Sequence, residues 1–418
     1  MTTGNPVRQA RLLRVLTYLM FMMFAMTTDS VGVVIPQVIK RFSLGMTAGG
    51  SFQYATMSGI SLAAIGLGFL ADRLGRKATI IIGLTVFGAS SGLFAAGHDF
   101  AFFVLLLFMG GVGIGVFKAG ALALIGDLSR STREHAATMN TVEGFFGIGA
   151  IIGPAIVGRL LQVGADWKWL YVIAAGLCAL LLAAAATANY PPAPKREPSS
   201  AGLSVGEAAR MLRDPFALAF GGALMLYVAA EAAVYVWAPT YLAGYQGAAS
   251  WFALYAVSIF FVLRVVGRFV GGWLLDRLEW RTVLAVCASG VMLCFGAGAL
   301  GGRGVAAVTL PLSGLFMSVI YPTINSKGIS CFPKSQHGSI AGVLLFFTCA
   351  SAVLAPLAMA MLSDAMGDSR YSLYLASVFA GLLAALCLWN AAADPARARL
   401  ARGDLEDYQG EGAAGAPA

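Results

Sequence analysis

The chain has 418 residues, of which 59% are hydrophobic and only 11% charged, with a mean hydropathy of +0.79. Soluble proteins carry roughly 25% charged residues, so this composition cannot supply a water-facing surface and excludes a set of soluble domains. The net charge of +8 is no nucleic-acid signature either, because the basic residues sit in short clusters between apolar runs, the pattern that orients membrane helices.

Crossing the hydrocarbon takes about 20 mostly apolar residues. Arg8, Arg11 and Arg14 cluster at the start of the first such run, 12–36, which lacks a small-residue cleavage site and reads as a retained helix, not a signal peptide. Further runs follow at 51–71, 78–96, 101–126, 138–162 and 168–187. After the polar, proline-rich stretch 188–213 come runs at 214–243, 249–276, 282–300, 305–328, 338–363 and 371–393. The expected fold is an all-α membrane protein with twelve transmembrane helices in two six-helix pseudo-symmetric bundles. These are 1–190 and 214–393, joined by a cytoplasmic linker at 191–213 and followed by a disordered cytoplasmic tail at 394–418. With the N-terminus inside, most loop arginines and lysines fall on the inner side, so both termini are expected in the cytoplasm and the protein in the cell inner membrane.

The six cysteines stand singly, mostly within apolar runs, and form no disulfide frame. His98, His135 and His337 lie in or near loops without a second ligand at metal spacing, so neither a metal nor another cofactor is expected.

An internal repeat fixes the relation of the halves. The second span ends in Gly68-Phe-Leu-Ala-Asp72-Arg73-Leu-Gly75-Arg76-Lys77, and the eighth in Gly272-Trp-Leu-Leu-Asp276-Arg277-Leu-Glu279-Trp-Arg281. The first of these resembles the signature loop of the major facilitator superfamily, and the second stands where that family has a degenerate copy. The resemblance covers essentially the whole chain. It implies a secondary transporter working by alternating access, with Gly68, Asp72, Arg73, Gly75, Arg76, Asp276 and Arg277 as a conformational latch. Such charges also fix topology, and the two roles are compatible.

Finer fragments resemble the fucose:proton symporter family. They are Asp29 ahead of Ile35-Pro36-Gln37 in the first span, Asn140-Thr-Val-Glu143 in the fifth, Tyr227-Val-Ala-Ala-Glu231 in the seventh and Tyr321-Pro322-Thr-Ile-Asn325 in the tenth. The chain departs from that family in the fourth span, where Lys118 stands in place of a second carboxylate. Gly149-Ala-Ile-Ile-Gly153-Pro154 partly resembles the fifth-helix motif of drug:proton antiporters, although small residues at that spacing equally serve close helix packing.

A charge in the bilayer centre costs at least ~2.5–3.5 kcal/mol on insertion scales, so ionisable residues within spans are candidates for function. They are Asp29, Lys118, Glu143, Glu231 and Arg264. In this fold the first and fourth helices are inner ones, so Asp29 is expected to meet Lys118, and Asp29, Lys118 and Glu143 are the expected proton-coupling groups. Lys327 ends the tenth span and reads as snorkelling to the water. Asn140 and Glu143 share a helix face. Tyr227, Glu231 and Tyr235 recur every four residues as one stripe, and Tyr321 and Asn325 repeat that spacing. Carboxylate, amide and tyrosine groups suit a solute rich in hydroxyls, though the tyrosines also suit plain packing. Gln53 is a ligand or a rim residue. Arg264 is an anchor for an anion or the structural partner of Glu231 or of groups near Asp276.

The leading expectation is a proton-coupled carrier of a small polar solute, most simply a sugar, acting as a monomer and binding no nucleic acid. The alternative is an organic-anion carrier or drug exporter anchored by Lys118 and Arg264. No nucleophile set, metal cluster or nucleotide loop points to an enzyme, and no soluble signalling domain points to a sensor.

Overall fold

The computed structural model describes residues 6–67, 73–129, 132–191, 211–275, 277–333 and 336–404. Ten helical stretches among them are long and apolar enough to cross a membrane. The longest, Trp280–Ser330, runs for 51 residues but reverses at Gly302 (φ 75°), so it is two spans. Gly290 beside Phe316 and Gly298 beside Ala306 mark the antiparallel return. Ser51–Gly66, 16 residues long, is the remaining crossing. The twelve expected spans are thus accounted for, and among the described residues there is no strand.

In chain order the spans of the first half are α1 (Pro6–Thr28) with α2 (Val31–Phe42), then α4 (Ser51–Gly66) after the single turn α3 (Met46–Gly49), α5 (Arg76–Gly92), α6 (Phe100–Leu128), α7 (Thr132–Gln162) and α8 (Trp169–Thr187). The second half holds α9 (Pro215–Ala232) continued by α10 (Ala238–Leu242), then α11 (Ser250–Leu254) with α12 (Ala256–Leu275), α13 (Trp280–Met317) continued by α14 (Ile320–Ser330), α15 (His337–Met366) and α16 (Arg370–Ala393). A short helix, α17 (Arg397–Asp404), follows within the stretch expected to be unstructured.

Contacts divide the chain into two compact units. The first holds residues 1–196 together with 235–244 and 251–261, and the second holds 197–234, 245–250 and 262–418. The seventh span is therefore shared, and the division falls inside a five-residue π-helical segment, Ala233–Trp237.

Each unit repeats the same pairings. In the first, α1 packs on α7 and α8, and α5 on α8; in the second, α9 packs on α15 and α16, and α13 on α16. These pairs are related by an offset of six spans, which is the packing counterpart of the sequence repeat. Glycines let the backbones approach: Gly59 lies against the Phe108 carbonyl, and its counterpart Gly267 against that of Leu315. Gly149 and Gly153 lie against the carbonyls of Met22 and Met26, so the small-residue motif of the fifth span serves helix packing.

Span one is broken: the chain leaves the helix at Asp29–Ser30, and within α2 Pro36 has no N–H to return to the Gly32 carbonyl. At the break the Ser30 hydroxyl donates to Met26 O at 2.6 Å, and one turn earlier Thr27 adds a bond to Phe24 O at 2.9 Å. Just beyond the break, α2 packs on α10. A Cβ on Gly32 would overlap the Tyr235 carbonyl there. Because the obstacle is backbone, Gly32→Val is expected to cost about 1–3 kcal/mol, read as a lowered thermal midpoint of the purified protein, whereas Val33→Ala at the same end should cost less.

Candidate functional site

The expected site residues fall into separate clusters within the two units. In the first unit, Asp29 occupies the break between α1 and α2, half-buried, and accepts the Thr28 hydroxyl at 2.9 Å. Behind it is a chamber of about 20 Å³ lined in part by Thr27, Thr28, Thr56, Ser90 and Ser91, a volume suited to one water with several hydroxyl partners. Lys118 lies on α6 with its ammonium 5.7 Å from the centre of the Phe146 ring. Glu143 is exposed on α7, and Asn140 lies on the same helix with its side chain outside the described residues.

Gln53 is fully buried on α4, and its amide donates to the Tyr235 hydroxyl at 3.5 Å. Its carbonyl oxygen has no hydrogen-bond partner among the described residues. A buried orphan acceptor costs about 1–3 kcal/mol, so this oxygen is poised for a donor supplied from elsewhere.

In the second unit, α9 presents Tyr227 and Glu231 one turn apart, and the Tyr227 hydroxyl donates to Glu231 Oε1 at 3.2 Å. Arg264 on α12 forms an ion pair with the same carboxylate, with 19% and 12% of the two side chains exposed. That burial makes the pair one whose members are far more expensive apart than together. Of the readings open for Arg264, the one adopted in this structure is pairing with Glu231. The Tyr321 ring lies 5.8 Å from that of Tyr227, and Asn325 follows on α14, half-buried.

Tyr235 departs from the expected stripe. Periodicity puts it on the face of Tyr227 and Glu231, but it lies in the π-helical segment, where a wider turn displaces the register. It belongs to the first unit and meets Gln53.

The expected latch is partly visible. Gly68, Asp72 and Asp276 lie outside the described residues. Gly75 has φ 82°, a left-handed conformation that favours glycine. Arg73 and Arg277 are exposed, the latter stacked 4.2 Å from the Trp273 ring. Arg76 turns inward instead: it is 4% exposed and pairs with Asp127 at 2.8 Å. Lys77 closes the end of α8 by donating to the carbonyls of Ala186 and Ala188 at 2.7 and 3.0 Å, and Arg14 does the same for α6 at Leu128 O, 2.8 Å. Beside Lys77, burial pushes the Tyr190 hydroxyl up to about 12.

Sequence reasoning missed Asp127, which follows the apolar run 101–126 and reads as a loop charge; its only signal is an acid ending a span near the arginines of 73–77. It also missed Asp214, which caps α9 by accepting from Phe216 N at 2.8 Å and Ala217 N at 3.3 Å. An acid followed by proline at a helix start is a legible signal of that role. Asp127→Ala is expected to remove a buried charge partner of Arg76 at a cost of up to about 3–5 kcal/mol, read as a fall in thermal midpoint. The double variant Arg76→Met with Asp127→Leu should recover most of it.

Comparison with known proteins gives four findings. The model of the family described as Major Facilitator Superfamily matches residues 17–356. The chain is similar to the L-fucose-proton symporter of Escherichia coli (strain K12), 26% identical over 84% of this chain and 86% of that protein. It is also similar to the quinolone resistance protein NorA of Staphylococcus aureus, 34% identical over 115 residues, but that match spans only 28% of this chain and 29% of NorA's length. Among solved structures, the nucleoside transporter NupG has the same fold, with a TM-score of 0.73 at 16% identity over 91% of this chain and 97% of that one.

Proposed function

The chain belongs to the Major Facilitator Superfamily, and on that premise we propose that it carries a small polar solute, most simply a sugar, in step with protons. The observation that supports this reading most is the orphaned Gln53 carbonyl beside the Tyr235 hydroxyl. A solute rich in hydroxyls supplies the missing donor, and the tyrosine can donate or accept in return. The likeness to a fucose:proton symporter over most of both chains supports the same substrate class.

Proton coupling needs carboxylates whose charge is balanced by partners that can be released. Glu231 has Arg264 and the Tyr227 hydroxyl on it. Protonating Glu231 discharges the carboxylate and frees the guanidinium. Asp29, Lys118 and Glu143 are proposed to share this coupling in the first unit. In this reading the proposed solute-binding residues are Gln53, Asn140 and Tyr235 in the first unit and, taken separately, Tyr227, Tyr321 and Asn325 in the second. Arg73, Arg76 and Arg277, with Asp72 and Asp276, form the latch that governs alternating access. The orientation that fits the basic loops puts both termini in the cytoplasm.

A second reading has a specific observation behind it. Arg264 and Lys118 are cations within spans, and part of the chain is similar to a drug-resistance protein. A carboxylate-bearing solute would take Arg264 from Glu231 as a bidentate partner.

Adding solute to de-energised proteoliposomes separates the readings. A hexose that moves protons supports the first; proton movement with monocarboxylates, and none with sugars, overturns it in favour of the second. In the same vesicles Gln53→Leu is expected to raise the half-saturating solute concentration up to about tenfold, matching the loss of one hydrogen bond. Glu231→Gln should abolish proton movement, while Asp29→Asn and Lys118→Ala should each abolish uptake with membrane insertion intact.

A further inference from the structure

We propose that the second unit binds one anionic phospholipid at the end that carries its basic segments, with an acyl chain in a cavity among α9, α13, α14 and α16 and the phosphate at Lys327. The cavity has a volume of about 250 Å³ and an almost wholly apolar wall, including Ala219, Ala223, Trp280, Ile324 and Trp389. Ala223 is eight residues inside the start of α9, which takes the cavity roughly 12 Å into the span. Such a wall offers hydrocarbon a fit and gives a polar solute almost nothing to bond to. The cavity is therefore distinct in chemistry from the polar clusters above.

Its mouth has the features of a membrane interface. Trp280 opens α13 and Trp389, half exposed, stands near the end of α16, where amphipathic indole rings settle at headgroup level. Asp394 takes a left-handed conformation (φ 43°) and turns the chain so that Pro395 closes the cavity's outer end. That turn is held by Arg281, 3.0 Å from Asp394.

The charges at the mouth select the headgroup. Arg281 is already matched by Glu279 and Asp394, and Arg399 by Asp214 at 3.0 Å with its guanidinium 4.2 Å from the Phe216 ring. Lys327 is left over. It sits one turn beyond Ile324 on α14, its ammonium lies 5.9 Å from the Trp280 ring, and no carboxylate among the described residues is within ion-pair distance of it. Arg397, exposed on the first turn of α17, adds a second cation. A basic rim around an apolar slot at the inner face of a membrane protein fits a phospholipid with a negative headgroup.

The test is electron paramagnetic resonance of spin-labelled phosphatidylglycerol and phosphatidylcholine in nanodiscs holding the full-length protein. The expected result is an excess of about one motionally restricted phosphatidylglycerol per protein over phosphatidylcholine. Ala219→Trp, which fills the slot from its exposed side, and Lys327→Gln should each remove that excess, and Lys327→Arg should keep it. Equal restriction of the two lipids, or an excess that survives either substitution in protein of normal helical content, overturns the proposal.

Discussion

Hydrocarbon offers no water to a charge or a bare carbonyl, so each polar group in a span must find its partner within the protein. Most of the specific contacts in this chain follow from that constraint. Arg264 and Glu231 answer one another inside the second unit, and Arg76 and Asp127 do so at the edge of the first. At helix ends the same need is met by cations reaching back to carbonyls, Arg14 for α6 and Lys77 for α8. Several of the few charges that the composition allows thus serve as helix caps, as buried pairs, or as candidates for the work of transport.

The two units show how one packing scheme carries different chemistry. Their helix pairings repeat at an offset of six spans, and even the glycine contacts recur, Gly59 against Phe108 and Gly267 against Leu315. The polar groups do not repeat. The first unit holds an acid at a helix break, a lysine beside an aromatic ring and a buried amide, whereas the second holds a paired acid and arginine with a tyrosine on the acid. Packing thus sets where a side chain can stand, and substitution along a shared frame decides what it does.

Much of this is legible in the sequence, for physical reasons. Apolar runs of membrane length are unmistakable, and the resemblance of Gly68 to Lys77 to a known loop implies the family before any coordinates. Gly75 and the Asp214-Pro215 pair carry local conformational signatures that hold in the structure. Other features leave no such trace. Tyr235 keeps the spacing of a stripe, but a π-helical turn depends on packing and moves it to Gln53. Asp127 looks like any acid past the end of an apolar run until Arg76 is seen beneath the surface beside it. α17 reads as a polar tail because the groups that hold it, Asp214 and the Phe216 ring, lie far away in the chain.

The glycine at 302 has a consequence for how the chain can be handled. With one left-handed residue at the reversal between two long apolar helices, that face of the bilayer presents no loop between them. A reporter, epitope or protease site has no ribbon of chain there to occupy, and any insertion must unwind helix on one side or the other.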